Sequence, residues 1–503
     1  MAENSKRSST SVSQEDIIRA QLPGPGTLLI PKSAFQDDGE RTFAPAAALR
    51  AMPGSRLALT QPMKDPGSSL QKLGLQNIDR LARREVTKEP HSTRGMFARL
   101  GALGMAAAYF SDERTVEDAH NELADEYDFV PNFYLSLPTA IRGEQVDATK
   151  GRLAPEPPPW FAESGVLEAH ARQIRGAGVL VGVLDTGVDA DHVEMSAQEI
   201  IFRYVSFFPN SPYWPPRDVR GFDSAGHGTH VSGIIAGRNI GVAPEARLIV
   251  ASVIESETSR TSLVRVAYGL DWMLRQFSSP ACEHRPAVLN MSLGFPSSLV
   301  DQEEFKDRLR VIQRLLRTLN QANVLPIVAV GNDGPGKFGY PAGFEEALAV
   351  GAIDKDKQVA DFSGSTPPGT GPTKPDIYGY GVDVYSSVER DYLGRSSYQT
   401  MSGTSMAAPY VTGIAALMLC QRPGLSTANL KAELINNGLQ AAGLSVPVAA
   451  FRRNGATNAA PSTSPTAPSP PTSPAPAGTV SQPPSNNPPP AAKGRKSSPR
   501  RAA

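Results

Sequence analysis

The stretch Gly178-Val179-Leu180-Val181-Gly182-Val183-Leu184-Asp185-Thr186-Gly187 decides the fold. It is a short, nearly all-apolar run that stops at Asp-Thr-Gly, which is how a strand covered on both faces and closed by a turn reads. Four similar runs follow: ARLIVASVI at 246–254, AVLNMSLG at 287–294, VLPIVAV at 324–330 and ALAVGAI at 347–353. Helical patterns near 261–277 and 302–321 lie between them. Buried strands alternating with helices predict an α/β fold: a mostly parallel central sheet with helices on both faces.

Working outward, residues 160–450 form the domain that holds this sheet. Residues 1–67, rich in Ser, Pro, Gly and Ala, read as a flexible N-terminal segment. In 68–140, Leu73, Leu75, Ile78 and Leu81 precede an Ala- and Leu-rich run from Met96 to Phe110 and a charged stretch from Asp112 to Glu126. That pattern predicts a small α+β domain. Pro155, Pro157, Pro158 and Pro159 mark 141–159 as a linker. The Pro/Ser/Ala-rich stretch 451–503 reads as a disordered tail.

The whole chain has 503 residues, with 50 Lys plus Arg against 50 Asp plus Glu. A net charge of zero argues against a nucleic-acid partner. Two cysteines, Cys282 and Cys420, exclude a disulfide-rich scaffold. The N-terminus MAENSKRSSTSVSQED has basic residues without an apolar run behind them, and no stretch approaches a membrane span. The expectation is a cytoplasmic monomer, with export by a route without a classical signal peptide as the alternative.

Three constellations carry chemistry. Asp185 ends the deciding strand, and functional groups of open α/β sheets gather at the carboxyl ends of strands. In DSAGHGTHVSGIIAG (223–237), His227 stands at the entrance of an apolar helix, with His230 three residues on. A zinc site would need a third ligand, and no HExxH or Cys-rich companion is present, so no metal is expected and His230 reads as a packed structural residue. In SYQTMSGTSMAAPYVTGIAALML (397–419), Ser405 precedes a helix whose first turn tolerates Pro409. Two other readings fail. Asp-Thr-Gly as half of a carboxylate dyad lacks a partner, since Asp223-Ser224-Ala225 has no closing glycine. Gly331 to Lys337 fits GxxxxGK, but Phe338 stands where a phosphate loop places Ser or Thr.

The chain order Asp185, His227, Ser405 is the subtilisin order of a Ser-His-Asp triad. With VLDTGVD (183–189), GHGTHVSG (226–233), NMSLG (290–294), VAVGNDG (328–334) and GTSMAAPYVTG (403–413), residues 160–440 resemble subtilisin-like serine proteases, the subtilases or peptidase S8 family. The resemblance implies a serine endopeptidase acting on polypeptides without a cofactor. It implies Asn332 as the oxyanion side chain and Ser292, Leu293 and Gly294 as an edge strand that pairs with substrate. Gly331 and Gly339 would line a first pocket that takes apolar or aromatic residues, with Phe295 along one wall. A catalytically silent subtilase scaffold is the alternative, disfavoured by the intact triad. The family's calcium loop after the histidine helix is shortened here to Gly237-Arg238-Asn239, leaving structural calcium possible only elsewhere. Tyr378-Gly379-Tyr380-Gly381 stands where Ala-Pro-Gly is common. By position and size, 68–140 resembles an inhibitory propeptide, with 129–135 as the cleft-binding segment and cleavage expected within 135–160.

Overall fold

Seven strands build the central sheet of the computed structural model: β8 (Leu180–Asp185), β9 (Ile201–Tyr204), β10 (Arg247–Ser252), β12 (Ala287–Met291), β14 (Val324–Ala329), β16 (Leu348–Ile353) and β17 (Ile377–Tyr380). Their order is β17-β16-β14-β12-β8-β10-β9. Every ladder is parallel, a stricter arrangement than the mostly parallel sheet expected. The structure describes residues 27–31, 66–77, 94–110, 112–131, 134–136, 141–146, 156–205, 219–254, 260–296, 303–367, 369 and 373–452.

Alternation along each strand divides the core. Val181, Val183, Leu248, Val250, Val288 and Ile327 point to one face. That face is covered by α5 (His227–Ala236) and α8 (Thr404–Gln421). Leu180, Leu184, Ile249, Leu289 and Val328 point to the other, under α6 (Leu263–Phe277) and α7 (Glu303–Gln321). Helix α8 is buried almost throughout, which explains its apolar residues on all sides. β8 lies between β10 and β12, where the chain order reverses, so its carboxyl end opens on the crevice that α/β sheets use for chemistry.

The N-terminal region forms a second sheet, in the order β2-β3-β4-β1-β5. Its strands are β1 (Thr27–Pro31), β2 (Gln76–Asn77), β3 (Gly95–Leu100), β4 (Met105–Phe110) and β5 (Tyr127–Pro131). β1 falls inside the segment expected to be flexible; it is inserted between β4 and β5, so the small domain begins well before residue 68. Leu29, Phe97, Ala106 and Ala108 face α1 (Pro66–Lys72) and α2 (Glu113–Leu123). Leu28, Ile30, Ala98, Leu100, Met105 and Ala107 join the core cluster that includes α6. Both faces of this sheet are therefore dry. The buried Asp271 of α6 caps the β3–β4 turn, accepting from the backbone N–H groups of Ala102 at 2.7 Å and Leu103 at 3.2 Å.

Two further differences concern boundaries. Ile141–Val146, inside the expected linker, is a strand, β7. At the start of the main domain, as expected, the chain packs on the body: Trp160 in α3 (Trp160–Glu163) stacks on Tyr380 with ring centroids 5.0 Å apart, and the Tyr380 hydroxyl donates to Glu163. The departure at 378–381 thus lies largely in strand β17 rather than in a loop, and it receives the chain entering the main domain. Phe451 is buried and its N–H donates to the Ser164 carbonyl at 2.8 Å, so the core extends one residue into the expected tail. The rest of the tail, 453–503, lies outside the described residues.

Candidate active site

Asp185 is the last residue of β8 and is fully buried. Its Oδ1 accepts from the Thr186 N–H at 2.7 Å and lies 2.7 Å from His227 Nδ1. A carboxylate acceptor there makes Nδ1 the protonated nitrogen and turns Nε2 to the opposite side of the ring. His227 opens α5, so the last residue of a strand and the first of a helix meet. Their approach depends on glycine: Gly187 has φ +132°, and a Cβ on Gly228 would collide with the Gly187 backbone.

A buried polar frame holds this junction. The Thr186 hydroxyl donates to Asp223 Oδ1 at 2.7 Å and accepts from the Gly228 N–H at 2.9 Å. The other Asp223 oxygen accepts from the Thr229 N–H at 2.6 Å and the Thr229 hydroxyl at 2.7 Å, capping α5 beside its first turn. Asp223, considered above only as half of a dyad, instead fixes the orientation of the histidine helix. His230 matches the structural reading: it is fully buried, its Nε2 lies 3.1 Å from the Val384 carbonyl and 3.0 Å from that of Gln399, and burial pushes its pKa down to about 3.

Ser405 is the second residue of α8, fully buried, and its hydroxyl has no hydrogen-bond partner among the described residues. The histidine–carboxylate bond is thus formed and the serine–histidine bond is not, an arrangement common before substrate binds. Asn332 lies beside the same helix start. Its Oδ1 accepts from the Thr404 N–H at 2.9 Å and the Thr404 hydroxyl at 2.8 Å. Two donors on one oxygen settle the orientation of the amide and turn its NH2 group away from Thr404. The Thr404 hydroxyl in turn accepts from the Gly331 N–H at 3.3 Å. Sequence reasoning singled out neither Thr404 nor Thr186; each is a small polar residue adjoining a named site residue, and that adjacency was the available signal.

Leu293 and Gly294 follow β12 and lead into β13 (Phe295–Pro296), which pairs antiparallel with β15 (Gly339–Tyr340). Gly331 and Gly339 face each other closely, and the Phe295 and Tyr340 rings stack at 5.9 Å. The Ser292 side chain is fully buried, and its hydroxyl lies 2.9 Å from the Ser405 carbonyl, which leaves the expected backbone pairing of 292–294 untouched. After β14 the chain enters β15 rather than a helix, so no phosphate loop forms at 331–337.

At the end of α5, where the resemblance raises the question of calcium, the buried Glu194 carboxylate accepts from the Asn239 N–H at 2.8 Å, Asn239 Nδ2 at 3.0 Å and the Tyr398 hydroxyl at 3.0 Å.

Residues 176–463 match the family model described as "Subtilase family". The chain is 42% identical over 455 residues to the "Subtilisin-like protease PopC" of Myxococcus xanthus, covering 82% of this chain and 96% of that protein. It is 32% identical over 347 residues to an "Alkaline protease" of Alkalihalobacillus alcalophilus (65% of this chain, 79% of the relative). To "Subtilisin Savinase" of Lederbergia lenta it is 34% identical over 276 residues (53% and 86%). The likeness to alkaline proteases and subtilisins, which are typically secreted, overturns the cytoplasmic expectation. That expectation rested on the absence of an apolar leader, which is no positive evidence for any compartment.

Proposed function

Because this chain belongs to the subtilase family and is a serine-type endopeptidase, we propose that Asp185, His227 and Ser405 are its catalytic triad. The observation that carries the reading is the buried 2.7 Å bond between His227 Nδ1 and Asp185, with the helix that bears Ser405 packed on the helix that His227 opens. Ser405 Oγ attacks the peptide carbonyl as His227 Nε2 takes its proton. Asp185 holds the imidazole in the required tautomer and stabilises the imidazolium. The proton passes to the leaving amine, and water then hydrolyses the acyl-enzyme by the reverse relay. Asn332 Nδ2 and the Ser405 N–H stabilise the oxyanion; on the scale known from subtilisin, losing such a donor costs about 10²–10³ in kcat. A fluorophosphonate probe labels the wild-type protein and not Ser405→Ala. Equal labelling of the two would remove Ser405 from the mechanism.

Gly331 and Gly339, with the Phe295 and Tyr340 rings beside them, support a pocket for apolar or aromatic residues before the cleaved bond. The N-terminal region is an intramolecular inhibitor in this reading. β6 (Tyr134–Ser136) pairs antiparallel with β11 (Arg260–Ser262). β11 is tied to the site because the Thr261 hydroxyl donates to the Val253 carbonyl, and the Val253 N–H donates to that of Asp185. β7 pairs antiparallel with β19 (Ser397–Ser402), with Ile141 opposite Ser402, three residues before Ser405. Two stretches of the chain's own backbone thus occupy edges that an extended polypeptide would use. Self-processing within 135–160 gives a shortened N-terminus in the wild type and the full-length one in Ser405→Ala. Full-length N-termini in both would overturn processing.

A further inference from the structure

Helix α8 carries Pro409 one turn after Ser405. In an α-helix the carbonyl of residue i accepts from the N–H of residue i+4, and proline has no N–H. The Ser405 carbonyl therefore lacks its regular helical donor, in a place where a buried carbonyl needs one. The Ser292 hydroxyl stands there, 2.9 Å away, and both residues are 0% exposed.

The proton positions follow from that contact. A carbonyl only accepts, so the single Ser292 hydroxyl proton goes to Ser405. The Ser292 oxygen then accepts from Asn290 Nδ2 at 3.0 Å. This orients the amide so that Asn290 Oδ1 faces the Thr412 hydroxyl at 3.1 Å; that hydroxyl also lies 2.9 Å from the Ala408 carbonyl. Asn290 and Thr412 are also 0% exposed. Asn290 and Ser292, two apart at the end of β12, project to the same side. A sheet strand and the nucleophile helix are thus joined by a directed set of hydrogen bonds that ends on the nucleophile's own peptide.

We propose that Ser292, oriented by Asn290, is a positioning residue for the reaction: it replaces the donor that Pro409 cannot supply and fixes the Ser405 backbone. This rests on Ser405 being the nucleophile. Both the attacking oxygen and the Ser405 N–H of the oxyanion site are carried by the residue so held, and a displacement of about 1 Å costs up to about 10²-fold in rate. A substrate-binding role for this side chain would instead appear in KM.

The test is a double-mutant cycle with Pro409→Ala, which restores a backbone N–H at position 409. It reads kcat and KM on a chromogenic peptide, together with the rate of fluorophosphonate labelling. In the native background Ser292→Ala lowers kcat and the labelling rate about 10- to 100-fold, with KM within about twofold. In the Pro409→Ala background the same change costs less than about threefold. Equal losses in the two backgrounds, or a loss carried by KM, would overturn the assignment. If Ser292→Ala alone yields no folded protein, recovery of folded, active enzyme on adding Pro409→Ala supports it, and failure to recover overturns it. Activity retained by Ser405→Ala would remove the nucleophile reading itself. An inactive Ser405→Ala beside a fully active Ser292→Ala removes only the positioning role.

Discussion

Thr404 shows how much of this site lies one residue away from the groups proposed to do the chemistry. Its N–H and hydroxyl both donate to Asn332 Oδ1, so the orientation of the proposed oxyanion amide depends on it. Thr404→Val keeps the N–H and the shape but loses the hydroxyl; kcat should fall about 10-fold, with KM little changed in steady-state kinetics. Asp185, His227, Ser405 and Asn332, the proposed site residues, stand out in the sequence because each sits in a motif of distinctive order. Asp223, Thr186 and Thr404 do not, because a threonine or aspartate in a turn looks the same whether it caps a helix or supports a site. His230 makes a prediction about acid. Its folded-state pKa is pushed down to about 3 by burial, below the unfolded value, so the unfolded chain binds a proton that the folded chain refuses. The resulting stability is intact above about pH 6.5 and lost as pH falls below it, amounting to about 2 kcal/mol by pH 5. His230→Gln keeps a donor for Val384 and Gln399 but does not titrate. The drop in Tm between pH 7 and pH 5 should be smaller in the variant than in the wild type.

At the scale of elements, the central strands could be read directly because each is buried on both faces and so is apolar throughout. β1 could not. Thr27–Pro31 is five residues between Gly/Pro-rich and polar sequence, and the partners that make it a strand, β4 and β5, lie about eighty and a hundred residues further on. β7 escaped for the same reason, since only its pairing with β19 defines it. The β8–α5 junction carries the firmest element-level expectation. Gly228→Ala drives a methyl group into the Gly187 backbone, which has no flexible side chain to yield. It should destabilise the fold by about 1–3 kcal/mol in denaturant titration. Because the collision separates Asp185 from His227, it should also slow fluorophosphonate labelling in the fraction that remains folded.

At the scale of the molecule, the N-terminal sheet packs on α6, one of the helices that cover the central sheet, and shares one buried apolar cluster with it. Leu28, Ile30, Leu100 and Met105 are as buried as residues of the main core, and Asp271 spends its Oδ1 on the β3–β4 turn. Leu100→Asp places a carboxylate in that interface without a partner, at a cost of several kcal/mol. It should lower Tm and, on the proposed inhibitory role, raise hydrolysis of a short peptide about 10-fold; unchanged hydrolysis in folded variant would dissociate the sheet from inhibition. The pairing of β6 and β7 with β11 and β19 has a kinetic corollary. A ligand tied to its receptor by a few residues acts at an effective concentration on the order of millimolar. If the N-terminal region is the inhibitor proposed above, micromolar peptide added to the intact chain meets a competitor it cannot dilute away. Onset of turnover should show a lag whose length is the same at any enzyme concentration, the mark of a first-order release within one molecule rather than an encounter between two.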